Sequence, residues 1–332
     1  MPTIIPTNVP FTSDVFEACV SGLAARYPCL DVTTIGTSRK GRPIYSLSLG
    51  YGPVSYMYNA AHHANEWITA VILARFAEDC AREVLPAWES WVDGNQPGEA
   101  RNPGVPEMQS PWYEQVTLHM VPMVNPDGVD MVAGGRRATY TEAHNCGANV
   151  CGDNNMHDSG KKSMHMHDDW KANACGVDLN SNYPAGWDLA KTHKYARGYT
   201  APGPRDYVGP YPLSEPESLA MAAYTKLINP AMTLSLHTQG EVIYWRYRDY
   251  MPSGAAELAK LLSAASGYEL ADVPDESSHG GYRDWFIEEF NRPGFTIECG
   301  LGENPLPISD FDGIYRRVRP LMMEALCYDI IE

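Results

Sequence analysis

The segment "NAAHHANEWITA" places His63 and Glu66 three positions apart, where an apolar run gives way to a helical pattern. Imidazole nitrogens and carboxylate oxygens are donors that hold zinc, and a hydrolytic zinc site takes three protein ligands and keeps one position for water. The spacing alone suits a helix-start glutamate beside a hydrogen-bonded histidine equally well. Further residues favour the metal. "MTLSLHTQG" ends an apolar strand at His237, and "GFTIECG" ends another at Glu298. Ligands of open α/β sheets gather at the carboxyl ends of strands, which would bring these residues together. A glutamate between Ile297 and Cys299 is costly near a core unless it has a task, and next to a metal it would serve as a base. In "CGVDLNSNYPAGW", Asp178 is placed to accept the second N–H of a ligand histidine, and Asn180 to hold a substrate carbonyl or carboxylate.

The elements that must position these residues follow from periodicity. Residues 13–27 read as an amphipathic helix, and "GRPIYSLSLG" and "VSYMYNAA" as strands joined at "YGP". Ile68, Val71, Ile72, Phe76 and Cys80 recur at helical spacing, which predicts a helix from Trp67 to about Val84. "QVTLHMVPMVNPDG" reads as a buried strand ending in a turn, and Ser214 with Glu217 has capping-box spacing before a helix. "MTLSLH", "GFTIECG" and the helix "DFDGIYRRVRPLMMEALCYDI" complete the pattern. Strands alternating with helices predict one α/β domain over residues 1–332, its sheet covered on both faces. Two polar stretches, 86–112 and 143–169, read as surface insertions.

Composition narrows the function classes. At 332 residues and 44% hydrophobic content the chain can bury a substantial core. A formal charge of −16 disfavours nucleic acid and anionic membranes as partners, leaving a peptide or small molecule. The N-terminus lacks a basic then apolar leader, and no run approaches about 18 apolar residues, so the expected location is the cytoplasm. Eight cysteines are too few for a disulfide scaffold and fit a reducing compartment, with Cys146 and Cys151 the one candidate pair. His157, His165 and His167 near that pair match no zinc spacing and read as part of a polar loop. Met57, Met120 and Met123 read as core filler.

The ordered blocks "IGTSRKGRPIYSLSLG", "HHANEWITA", "PMVNPDGVD", "WKANACGVDLNSNYPAGW", "YPLSEPES", "LHTQGEVIYW", "GGYRDWF" and "RPGFTIECGLGENPLP" span nearly the whole chain. With them the sequence resembles the zinc metallocarboxypeptidase superfamily, and within it the γ-D-glutamyl-L-diamino acid endopeptidases that cut bacterial cell-wall peptides. The resemblance implies a mixed central sheet with helices on both faces and one zinc ion held by His63, Glu66 and His237. It assigns to Glu298 the proton transfer from activated water to the leaving amine. Lys171 falls where related enzymes stabilise the oxyanion with an arginine, which a lysine does as a point charge.

The chain departs from that pattern where substrates are read. Carboxypeptidases carry an Asn-Arg pair that grips a free C-terminal carboxylate; here it is Asn180 and Ser181, so the two-pronged contact cannot form. Arg283 falls at the position that selects the side chain beyond the scissile bond, and an arginine there suits a carboxylate-bearing side chain such as that of diaminopimelate. The tyrosine usual over the substrate is replaced by Glu276, with Tyr282 either standing in for it or packing. The expected activity is zinc-dependent hydrolysis of the γ-D-glutamyl–diaminopimelate bond in murein peptides. The alternatives are a carboxypeptidase removing an acidic or unusual C-terminal residue, and a catalytically silent binding module. Oligomeric state is not legible from the sequence.

Overall fold

A computed structural model describes residues 2–93, 111–134, 168–274 and 278–328. Its elements run α1 (Ser13–Arg26), β1 (Asp31–Thr37), β2 (Pro43–Leu49), β3 (Val54–Ala60), α2 (Ile68–Val92), α3 (Trp112–Gln115), β4 (Val116–Val121) and α4 (Pro126–Ala133). There follow α5 (Trp187–Ala196), α6 (Pro216–Ile228), β5 (Met232–His237), β6 (Val242–Tyr244), α7 (Ala255–Ser266), β7 (Glu269–Ala271), α8 (Tyr282–Phe290), β8 (Gly294–Glu298) and α9 (Phe311–Cys327).

The described strands form one eight-stranded mixed sheet in the order β1-β2-β4-β3-β5-β8-β6-β7. Its centre, β4-β3-β5-β8, is parallel, whereas β2 meets β4 and β6 meets β8 in antiparallel pairing. Because successive side chains alternate across a strand, each central strand feeds two cores. Met232, Leu234 and Leu236 of β5, with Phe295 and Ile297 of β8, join the larger apolar cluster, to which α1, α2, α7 and α9 contribute. Thr233, Ser235 and His237 therefore face the opposite side, where α6 and α8 pack, and Thr296 and Glu298 share that face. The register pairs His237 with Glu298, so the alternation that buries the strands delivers both side chains to one spot.

Three features depart from the reading of the sequence. Helix α2 continues past Val84 and through Pro86 to Val92, so residues 86–92 belong to the helix, while most of both expected insertions lies outside the described residues. The capping box at Ser214 and Glu217 does not form: Glu215 precedes α6 and no side chain caps it. Ser214 instead hydrogen-bonds Glu215 and Asn182, and Glu217 accepts from the Arg39 backbone N–H, because tertiary partners outcompete the local cap. Strands β6 and β7, three residues each, are too short for alternation to mark.

Candidate active site

Strand β3 ends at Ala60, and the chain turns into a single 3-10 turn, Ala64–Glu66, before α2 begins. Thr69 fixes this turn: its hydroxyl donates to the Glu66 carbonyl at 2.7 Å and accepts from the Ala61 N–H at 3.0 Å. The His63 and Glu66 side chains then project over the end of β5. His63 Nδ1 lies 2.8 Å from Glu66 Oε1, and His237 Nδ1 lies 2.8 Å from Glu66 Oε2. One donor atom from each of the three residues lies within 4.8 Å of the others, and no other such group of three exists among the described residues. Two imidazole nitrogens and a buried carboxylate at that separation suit a divalent ion of the zinc type.

The hydrogen bonds behind this set fit a metal as well. Asp178 Oδ1 lies 3.2 Å from His63 Nε2; accepting a hydrogen bond there would leave Nδ1 as the nitrogen to bind a metal beside Glu66. Asp178 itself accepts from the backbone N–H groups of Asn180 and Asp206. Lys171 Nζ is 3.3 Å from Glu66 Oε1. Its segment is pinned to the first: Ala64 N–H donates to the Lys171 carbonyl, and the Asn125 side-chain amide bridges the carbonyls of His62 and Ala172. Burial works against the charged Lys171, but the Glu66 and Asp178 carboxylates, joined by Glu298, raise its pKa, with Arg205 opposing them. Burial likewise opposes ionised Glu66 and Asp178, yet the His63 charge and its neighbours hold both below the usual carboxylate range.

Glu298 is perturbed the other way. Burial, and then the Glu66 charge, push its carboxyl up to about 8. His63, where burial is outweighed by Glu66 and Asp178, rises to about 9. Both groups bind protons more tightly in the folded state, so their contributions to stability are lost as pH rises, through about 8 for Glu298 and about 9 for His63. The metal-free protein is expected to melt at higher temperature as pH is lowered from about 9 to about 7, above the range where the buried neutral His62 and His237 oppose the trend, with a shallower slope in Glu298→Gln. Identical slopes, measured by calorimetry across that range, would contradict this assignment.

All of these groups open into a cleft of about 460 Å³. Asn180 and Ser181 line it from a turn begun by Asp178, though the Asn180 side-chain oxygen already accepts from the Tyr282 N–H. Gly280, at a positive φ of 72°, holds that turn to the start of α8: its carbonyl accepts from Tyr183, and a Cβ there would fall 2.9 Å from the Ser181 oxygen. Arg283 is buried in the cleft wall and paired with Asp284, while Glu288 and Glu289 pair with Arg248 and Lys226. Tyr282 is not in the cleft. Its hydroxyl bonds Thr225 and its ring packs on His62, Tyr183 and Trp285, because adjacent helical residues face different directions. Glu276, Cys146, Cys151, His157, His165 and His167 lie outside the described residues.

The cleft also holds residues the sequence did not single out. Tyr244, opposite Thr296 in the β6–β8 register, shares the sheet face of Glu298, but its three-residue strand is too short for alternation to mark it in the sequence. Arg205, in an irregular loop, has no periodic signal at all. Cys175 is disulfide-bonded, whereas Cys19, Cys29, Cys80, Cys299 and Cys327 are free.

The geometry agrees with comparison to known proteins. A family model described as zinc carboxypeptidase matches residues 16–318. The chain belongs to the zinc carboxypeptidase family. The chain is 39% identical over 307 residues to γ-D-glutamyl-L-diamino acid endopeptidase 1 of Lysinibacillus sphaericus, covering 92% of this chain and 70% of that one. Among solved structures, bovine thrombin-activatable fibrinolysis inhibitor shares its fold with a TM-score of 0.64 at 17% identity, over 95% of both chains. Carboxypeptidase A of Helicoverpa armigera does so with a TM-score of 0.63 at 16% identity, over 94% of this chain and 72% of that one. The protein is a zinc metallopeptidase with the mixed sheet of those enzymes. Among the described residues no helix is long and apolar enough to cross a membrane.

Proposed function

We propose that this metallopeptidase holds one zinc ion through His63 Nδ1, Glu66 and His237 Nδ1, and hydrolyses the amide between a γ-D-glutamyl residue and diaminopimelate in murein peptides. The observation that carries the substrate reading is the exchange of cations in the cleft: serine stands where a C-terminal carboxylate would be gripped, and a buried arginine, Arg283, stands in the wall beyond Glu298. The 39% identical relative, named a γ-D-glutamyl-L-diamino acid endopeptidase, supports the same class of bond.

Zinc, when bound, polarises a water and the scissile carbonyl. Glu298, with its raised pKa, accepts the water's proton as the water attacks, and then delivers it to the departing amine. The Lys171 ammonium, held by Glu66 and kept charged by its carboxylate neighbours, offsets the charge that develops on the carbonyl oxygen. Asp178 keeps His63 in one orientation and tautomer. Arg283, with Nε and Nη2 taken by Asp284, retains Nη1 for the distal carboxylate of the diamino acid.

Arg283→Ala is expected to weaken kcat/KM on the diaminopimelate substrate by roughly 2–3 kcal/mol, and on the lysine analogue by much less, because a hydrogen bond to a charged group is lost in only one of them. Equal losses on both substrates, or none on either, would remove Arg283 from the reading. Endopeptidase action is tested with L-Ala-γ-D-Glu-diaminopimelyl-D-Ala, in which the α-carboxylate next to the scissile bond is blocked. Efficient release of diaminopimelyl-D-Ala is expected. A requirement for the free carboxylate would favour the second reading, a carboxypeptidase selective for acidic or unusual C-terminal residues, which Arg283 also suits.

A further inference from the structure

The cleft carries a cation that the activity outlined above does not use. Arg205 lines it from a strap tied down on both sides. The preceding carbonyl, of Pro204, accepts from the N–H groups of Lys171 and Ala172 at 2.8 and 3.0 Å, and the following residue, Asp206, donates its N–H to Asp178 Oδ2 at 3.2 Å. The Asp178 N–H in turn donates to the Tyr207 carbonyl at 2.8 Å. The Arg205 backbone is thus registered to the same segment that positions Lys171 and Asp178. Its Nε donates to Asp206 Oδ2 at 2.8 Å, which fixes the plane of the guanidinium. Asp206 is itself buried and neutralised by Lys194. The terminal nitrogens of Arg205 have no partner among the described residues, and the side chain remains 45% exposed, so it is open to a ligand.

Two cations therefore flank the metal-ligand set on different sides. Arg283 belongs to α8 against β8, the strand that ends in Glu298, its Cγ 3.4 Å from where a Cβ at Gly294 would fall. Arg205 belongs to the strap bonded to Lys171, Ala172 and Asp178. In the proposed function Lys171 meets the scissile carbonyl and Arg283 the side chain on the amine side, which leaves the strap of Arg205 to the acyl side. A γ-linked glutamyl residue differs from an α-linked one at this very place. Its amide is made through the side-chain carboxyl, so the α-carboxylate stays free on the acyl side, a short methylene chain from the reacting carbon. An anion entering there meets Asp178 and Asp206 and needs a cation to accompany it, while Lys171 is already engaged by Glu66. A guanidinium with open terminal nitrogens matches a carboxylate in shape and charge.

We infer that Arg205 is the specificity residue that binds the free α-carboxylate of the γ-glutamyl residue, and so distinguishes γ-linked from α-linked peptides. This rests on the γ-D-glutamyl reading of the substrate. The experiment compares the zinc-loaded wild type with Arg205→Ala on two peptides, L-Ala-γ-D-Glu-diaminopimelate and the same peptide with the glutamyl α-carboxylate converted to a carboxamide. Arg205→Ala is expected to lower kcat/KM about 10- to 100-fold on the carboxylate peptide, and within about threefold of wild type on the carboxamide, since only the first loses a charged hydrogen bond. An equal loss on both would mean that Arg205 merely supports Asp206 and Asp178, and would overturn the assignment. So would a variant that cuts the carboxylate peptide at the wild-type rate, although the γ-glutamyl reading would then stand. Failure of the wild type to cut either peptide would instead overturn that reading, and the role of Arg205 with it.

Discussion

Glu298→Gln lowers kcat by about 10²-fold or more while leaving bound zinc and melting behaviour of the loaded enzyme close to wild type. The size follows from the double duty of the carboxyl: as base it takes the proton of the attacking water, and as acid it returns one to an amine that leaves poorly without it. A glutamine keeps the shape, keeps a hydrogen-bond acceptor and cannot carry the proton. The position is specific, because the β5–β8 register sets Glu298 beside His237, and burial with the Glu66 charge lifts its pKa to about 8. A raised pKa favours the proton-accepting step and keeps the acid form accessible near neutral pH; the positive charge of a bound metal draws it back toward the ordinary range. Single-turnover and steady-state rates measured on matched zinc contents check this. Near-normal turnover in Glu298→Gln would assign the proton transfer to another group.

The second large effect is on the metal. His237→Ala removes one of two imidazole ligands from a site that has only three, and should strip most of the zinc at micromolar protein concentration. Nothing nearby replaces it: Thr238 meets Glu66 through its backbone N–H, and the His62 ring, 6.0 Å from that of His237, is turned to Tyr183. Burial depresses the pKa of both His62 and His237, so both are neutral imidazoles near pH 7 and only His237 is aimed at Glu66. Metal analysis after gel filtration measures the loss. Full zinc occupancy in the variant would contradict this ligand set. Asp178→Asn offers a graded comparison, since a lost support behind a ligand typically costs 10- to 100-fold in metal affinity rather than the site itself.

The ligand set was legible because two independent regularities converge on it. His63 and Glu66 follow an apolar strand directly, and His237 and Glu298 end two others, so strand ends alone gather four polar residues that no core would tolerate without purpose. The paired sheet explains why they meet: parallel β3, β5 and β8 are neighbours. What could not be read was set by contacts between distant segments. Tyr282 and Arg283 are adjacent in sequence, and only the packing of α8 against Tyr183 and His62 decides that the tyrosine turns inward and the arginine toward the cleft. Ser214 and Glu217 have the spacing of a cap, but Asn182 and Arg39 claim them first. Arg205 sits between a proline and an aspartate in a loop without periodicity, and its place follows from backbone bonds to Lys171 and Asp178. Helix α2 outran its apolar spacing because its last turns lie toward solvent, where the sequence no longer needs to be apolar.

The central claim, that this site hydrolyses a γ-D-glutamyl bond with zinc, is tested most directly by mass analysis of the products from L-Ala-γ-D-Glu-diaminopimelate. Zinc-loaded protein should yield L-Ala-D-Glu and free diaminopimelate, and prior removal of the metal with a chelator should abolish both until zinc is restored. An intact peptide, cleavage at the L-Ala–D-Glu bond instead, or the same products from metal-free protein would contradict it.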